Sequence, residues 1–202
     1  MEELELLKKD WQKNTHKSPD FSEQDIYGML HKKSSSIVKW ILIISIVEFL
    51  VLRLLDVYTL FDKKSNVGLE KLHLVEFNNI ITIVNFIVLF FFIYLFYKNY
   101  QKISASSSTK QLMKDILNTR KMVKYYVIYN LALVFVTSVI GMLFLFKYSG
   151  KFSHYNSVFT IFLSIFVPLF LVFIFYLIYK LLYGVLLKRL HKNYTELKRI
   201  DL

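Results

Sequence analysis

Apolar and polar positions are segregated along this chain into four long apolar runs, at residues 37–60, 77–97, 122–146 and 158–183, separated by charged and hydroxylated stretches. Each run is nearly continuous in Leu, Ile, Val and Phe, without the alternation that marks a barrel strand. A hydrocarbon core about 30 Å thick takes roughly 20 apolar helical residues to cross, and lipid offers no water to an open backbone. The pattern predicts an all-α polytopic membrane protein with four transmembrane helices, arranged as two similar helical hairpins.

What lies outside the runs is short. Residues 1–36 form an N-terminal tail with amphipathic segments, residues 37–183 hold the transmembrane domain, and residues 184–202 form a basic C-terminal tail. A piece below about 40 residues rarely supports its own core. The tails are therefore expected to dock or to lie at an interface.

Charge sets the orientation. With the N-terminus inside, Lys32, Lys33, Lys98, Lys102, Lys188 and Arg189 face the cytoplasm together with most other basic residues, and only Lys63, Lys64, Lys71, Lys147 and Lys151 face outward. This bias predicts a multi-pass protein of the bacterial inner membrane with both termini cytoplasmic. The net charge of +11 is concentrated beside span ends, where each Lys or Arg gains about 1 kcal/mol from anionic lipid. Its expected partner is thus the bilayer surface and not nucleic acid. The opening residues carry Glu2, Glu3, Glu5 and Asp10 in place of a basic flank and short apolar core, so the first span is expected to remain as an anchor.

The two hairpins repeat one another at their boundaries. Val38-Lys39-Trp40 begins the first span and Val123-Lys124-Tyr125 the third; Tyr94-Leu95-Phe96-Tyr97-Lys98 closes the second and Tyr176-Leu177-Ile178-Tyr179-Lys180 the fourth. A duplication would imply a pseudo-two-fold axis along the membrane normal. Interfacial anchoring alone produces the same aromatic-lysine pairs.

Two amphipathic stretches precede the hairpins. After Ser22, a cap with Asp25 three residues on, come Ile26, Met29 and Leu30; after residues 104–109 come Leu112, Met113, Ile116 and Leu117. Both are expected in the membrane surface or over the cytoplasmic end of the bundle, with Ile26, Met29 and Leu30 also candidate partner-binding residues. Nearer the N-terminus, Leu4, Leu7 and Trp11 form a narrow apolar stripe among acidic residues. Anionic lipid repels such a segment, so a groove on a protein partner suits it better, with Trp11 as anchor.

Inside the spans, ionisable residues need an explanation. Glu48 falls near the middle of the first run, where a charged acid costs on the order of 2.5–3.5 kcal/mol. Arg53 and Asp56 are three apart and suited to pair on one helix face. Arg53 is rotated roughly 140° from Glu48, so Glu48 is expected to bond Asn85 or Asn130 of neighbouring spans. A proton- or cation-coupled role for Glu48 is the alternative. Pro168 is expected to kink the fourth span and free a carbonyl near Ser164.

Catalytic chemistry has no visible basis. His16, His31, His73, His154 and His191 are scattered without ligand spacing, there is no Cys, and no Gly-rich phosphate loop or nucleophile elbow occurs. The expectation is no enzyme, no cofactor and no metal site.

At Leu6-Leu7-Lys8-Lys9-Asp10-Trp11 and Ile26-Tyr27-Gly28-Met29-Leu30-His31-Lys32-Lys33-Ser34-Ser35-Ser36-Ile37-Val38-Lys39-Trp40-Ile41, the chain resembles small four-span inner-membrane proteins of flavobacteria and related Bacteroidota. The resemblance implies unassigned function and four-span topology. A carotene-cleaving oxygenase label carried by some members does not suit this chain, because such oxygenases are larger propellers holding iron with four His. The functional expectation is a membrane-anchored regulator or adaptor, an anti-sigma factor being one form, which binds a cytosolic protein through its tail. The alternatives are a subunit of a larger membrane complex, a homo-oligomer included, and a small transporter.

Overall fold

The computed structural model describes Glu5, Lys8, Lys9 and residues 22–61, 63–148 and 157–200, apart from the side chains of residues 52, 53, 55–61, 63–66, 157 and 200. Helix α1 (Glu23–Phe61) contains the first apolar run; a short α2 (Lys63–Lys71) follows, and α3 (Val75–Ser104) returns along α1. Helices α4 (Thr109–Tyr148) and α5 (Ser157–Tyr179) make the second hairpin, and α5 continues through a π-helical turn (Lys180–Gly184) into α6 (Val185–Ile200). Among the described residues, four helices are long and apolar enough to cross a membrane. The chain is an all-α polytopic protein.

Local chemistry explains where the helices begin and turn. Ser22 and Asp25 form a reciprocal cap: the Asp25 N–H donates to Ser22 Oγ at 3.2 Å, and the Ser22 N–H donates to Asp25 Oδ2 at 3.1 Å. The Ser22 hydroxyl, and after it the backbone N–H, hold the Asp25 carboxyl below its usual range. Between α2 and α3 the chain reverses at His73, whose φ of 54° takes the left-handed position that ends many helices. The Leu74 N–H reaches the Leu69 carbonyl at 2.9 Å and the His73 N–H the Glu70 carbonyl at 3.0 Å.

Length organises the rest. At about 1.5 Å per residue, the 39 residues of α1 and 40 of α4 reach about 60 Å, twice the hydrocarbon thickness. The amphipathic stretches, expected in the membrane surface or over the cytoplasmic end of the bundle, are the opening turns of α1 and α4, and residues 185–200 of the basic tail are helical. Together they build a bundle at the basic end, with Leu30, Ile103, Leu112, Ile116, Leu190 and Leu197 buried in it. Asn193 Nδ2 donates to Ser34 Oγ at 3.1 Å inside this bundle, satisfying two buried polar groups together.

A second core lies at the level of the apolar runs and is mostly aromatic, with Phe92, Phe96, Tyr126, Tyr179 and Tyr183 buried. Helix α1 packs on α3, α3 on α4 and α4 on α5, while α6 packs on both α1 and α4. The fourth helix therefore reaches α1 mainly through its basic end. Outward faces are apolar: Ile80, Ile83 and Ile87 on α3, and a stack of Phe162, Phe166 and Phe170 on α5, are exposed where lipid would surround them.

Two boundary expectations meet the structure differently. The span starts match: Val38 and Val123 are both buried, and Trp40 and Tyr125 are both exposed. The span ends do not, since Phe96 is buried in the first hairpin and Tyr179, one position later in the motif, in the second. Pro168 lies inside α5, which runs on to Tyr179, and a π-helical turn follows at Lys180–Gly184.

Leu190→Ala and Leu197→Ala are each expected to lower stability in detergent by about 2–5 kcal/mol, because each empties a fully buried site. Leu181→Ala, on an exposed side chain, is expected to stay within about 0.5 kcal/mol. Equilibrium unfolding of the three variants checks this.

Candidate functional site

Glu48 sits where the fourth helix closes on the first. Its Oε1 accepts the Tyr179 hydroxyl at 2.5 Å, and its Oε2 accepts the Tyr183 hydroxyl at 3.0 Å. Residues four apart share a helix face, so both phenols project from α5 and its π-helical turn toward α1. Long side chains lean toward the N-terminus of their own helix. Because α1 and α5 run in opposite directions, Glu48 leans toward the basic end and the tyrosines lean away from it, and they meet between.

Tyr126 of α4 completes the cluster. It is 1% exposed, its ring stands edge-on to Tyr179 and Tyr183 at 6.3 and 5.9 Å, and Phe92 and Phe96 of α3 pack edge-on against it. Its hydroxyl is within interaction range of Glu48 and Tyr183. All four spanning helices thus contribute to one aromatic-carboxylate junction. Each carboxyl oxygen of Glu48 thus meets one phenol hydroxyl.

The expected amide partners of Glu48 are engaged elsewhere. Asn130 Nδ2 donates to the Tyr126 carbonyl one turn back at 2.9 Å, and Asn85 Oδ1 accepts the Tyr129 hydroxyl at 3.4 Å. Asn85 therefore ties α3 to α4. Tyr179 reads in the sequence as an interfacial anchor, and Tyr183 as the last residue of the fourth run. The signal that could have found them is their four-residue spacing, two phenols on the face of one helix, which suits a carboxylate with two oxygens to satisfy.

Beside Glu48 lies a pocket of about 390 Å³ lined by Trp40, Ile43, Val47, Val51 and Leu182. Its wall is apolar, and only the stem of Glu48 contributes to it, since the carboxylate is turned toward the tyrosines. Among the described residues no basic side chain pairs with Glu48.

The basic end has its own polar ties. Tyr27 donates to the Ser106 carbonyl at 2.9 Å and His31 Nε2 meets the Ile103 carbonyl at 2.7 Å, joining α1 to the α3–α4 connection. Burial pushes the Tyr27 phenol up from its ordinary value. Arg120 Nη1 lies 2.8 Å from His191 Nδ1, linking α4 to α6 with the imidazole nitrogen as acceptor. Asp115 is buried and takes the Gln111 amide at 2.9 Å.

Of the residues expected to face a protein partner, Leu30 is buried in the bundle, Ile26 is packed against it and Met29 is 41% exposed. Leu30 and Ile26 are thus occupied by the chain's own helices. Leu4, Leu7 and Trp11 lie outside the described residues, as do the side chains of Arg53 and Asp56. Among the described residues, no three His, Asp or Glu side chains converge to hold a metal.

Tyr183→Phe is expected to lower stability by about 1 kcal/mol through loss of one interhelical hydrogen bond inside the membrane. In a Glu48→Leu background the same change should be neutral or stabilising, because the phenol has already lost its acceptor. A double-mutant cycle measured by unfolding in mixed micelles checks this, and simple additivity would contradict the junction.

No curated protein and no solved structure matches the chain. The profile of a family described as a domain of unknown function, DUF8845, matches residues 24–202, from the first turn of α1 to the C-terminal residue. That range contains the whole junction and both cores, and the chain belongs to this family.

Proposed function

We propose that this protein is a non-catalytic, membrane-anchored regulator or adaptor of the bacterial inner membrane, with its basic end in the cytoplasm. The observation that carries the reading is the packed bundle into which the spans continue, with Leu30, Ile103, Leu112, Ile116, Leu190 and Leu197 at its centre. An anchor needs only the apolar runs. A water-facing bundle with its own core adds a rigid platform on which a cytosolic protein can dock.

The N-terminal stripe of Leu4, Leu7 and Trp11 belongs to this reading as a tethered docking segment. Lysine and arginine placement supports a cytoplasmic platform, and the resemblance to Bacteroidota proteins suggests the same membrane. Glu48 fits this reading as a closing contact. A coupled transporter would need that carboxylate on a polar path, whereas its oxygens are held by two tyrosines and the adjoining pocket is apolar.

Because the chain has no Cys, single cysteines report topology cleanly. A cysteine at Lys192 or Ser107 should react with an impermeant maleimide only after the inner membrane is opened, and one at Lys71 should react before. The reverse result would place the platform outside and remove the proposed partner. For function, intact protein and a form lacking residues 1–17 are compared by mild-detergent pull-down from native membranes. Loss of a soluble protein upon truncation is expected; retention of the same membrane proteins by both forms would make the chain a complex subunit instead.

A further inference from the structure

Two open apolar grooves flank the π-helical turn of the fourth helix. The first, about 370 Å³, lies between α4 and α5 and is lined by Val127, Ile128, Leu131, Tyr176 and Leu187, with Lys124 and Lys180 completing its wall. Tyr179 and Tyr183 back it, and their hydroxyls are turned away toward Glu48. The second, about 570 Å³, is an open strip along one face of the fourth helix, lined by Leu177, Leu181 and Val185, with Lys180 and Lys188.

The grooves share Lys180 and Gly184. Gly184 presents no side chain between them, and a Cβ there would lie 3.6 Å from the Lys180 stem. Lys124, Lys180 and Lys188 are exposed, and among the described residues none pairs with a carboxylate. Lysine stems lie along apolar surface while their ammonium groups reach for the headgroup region. Two apolar surfaces meeting at uncompensated cations match a molecule with two acyl chains joined at one anionic headgroup.

We propose that the π-helical turn and the facing side of α4 form a binding site for one anionic diacyl phospholipid. One acyl chain lies in each groove, and the phosphate sits among Lys124, Lys180 and Lys188. Charge complementarity selects the anionic headgroup, and the shared rim at Lys180 and Gly184 selects two chains. Lys124 and Lys180 come from different helices, so the lipid also bridges α4 to the fourth helix beside the Glu48 junction.

The test is native mass spectrometry of the full chain in mild detergent, titrated with phosphatidylglycerol and with phosphatidylcholine of the same acyl chains. A single phosphatidylglycerol adduct, at least about tenfold tighter than phosphatidylcholine, is expected from three headgroup lysines. Replacing Lys124, Lys180 and Lys188 together with Gln should bring phosphatidylglycerol down to the phosphatidylcholine level. A control triple at Lys39, Lys98 and Lys102, exposed lysines of the basic end outside both grooves, should leave the adduct unchanged. Equal affinity for the two lipids, or equal loss in both triples, would overturn the site. Lyso-phosphatidylglycerol, with one chain, should bind more weakly, and undiminished binding would overturn the two-groove occupancy.

Discussion

Helices about twice as long as the hydrocarbon core is thick are the constraint on which this structure depends. Within lipid, apolar side chains gain nothing by leaving one apolar neighbour for another, so helices associate through shape, aromatic contact and hydrogen bonds. Beyond the lipid, water returns and burial of Leu and Ile is again favourable. One molecule therefore contains two kinds of core. The spanning level is held by Phe92, Phe96 and Tyr126 packed edge to face, and the basic end by aliphatic residues such as Leu112, Ile116 and Leu190.

The Glu48 junction belongs to the aromatic core at the spanning level. Helix α5 follows α4 and meets α1 mainly near its own C-terminal end, where the π-helical turn leads into α6. An unpaired carboxylate at this depth would be costly. Two phenols offset part of that cost and tie the fourth helix to α1, while Tyr126 packs edge-on against both rings. Wide helical turns are often found where a helix must present a particular set of side chains, and this one does so on two sides: tyrosines face inward and apolar grooves edged by lysine face outward.

The likeness of the two hairpins is physically explicable only in part. Their starts place valine inside and an aromatic outside at matching positions, Val38 with Val123 and Trp40 with Tyr125. Their ends differ because the fourth helix continues into α6 whereas α3 stops at Ser104. Phe96 packs as a core residue, while Tyr179 at the corresponding end must also serve Glu48. The aromatic-lysine boundary is thus a feature of the membrane interface onto which different tertiary tasks were placed.

By itself the sequence determined the class, the number of spans and the cap at Ser22, because each rests on a local rule: run length against bilayer thickness, and a hydroxyl three residues before a carboxylate. It also marked Glu48 as the residue needing a partner. Only the tertiary structure decided which partner. Asn85 and Asn130 looked suitable from depth alone, yet one bonds along its own helix and the other bonds Tyr129. Tyr179 and Tyr183 reach Glu48 because antiparallel helices lean their side chains toward each other. The fate of Ile26, Met29 and Leu30 was likewise undecided by periodicity, which gives a helix an apolar face without saying what covers it. Here Leu112, Ile116 and Leu190 cover Leu30 and leave Met29 outside, since that outcome depends on how α1, α4 and α6 are rotated against one another, a relation that no single segment contains.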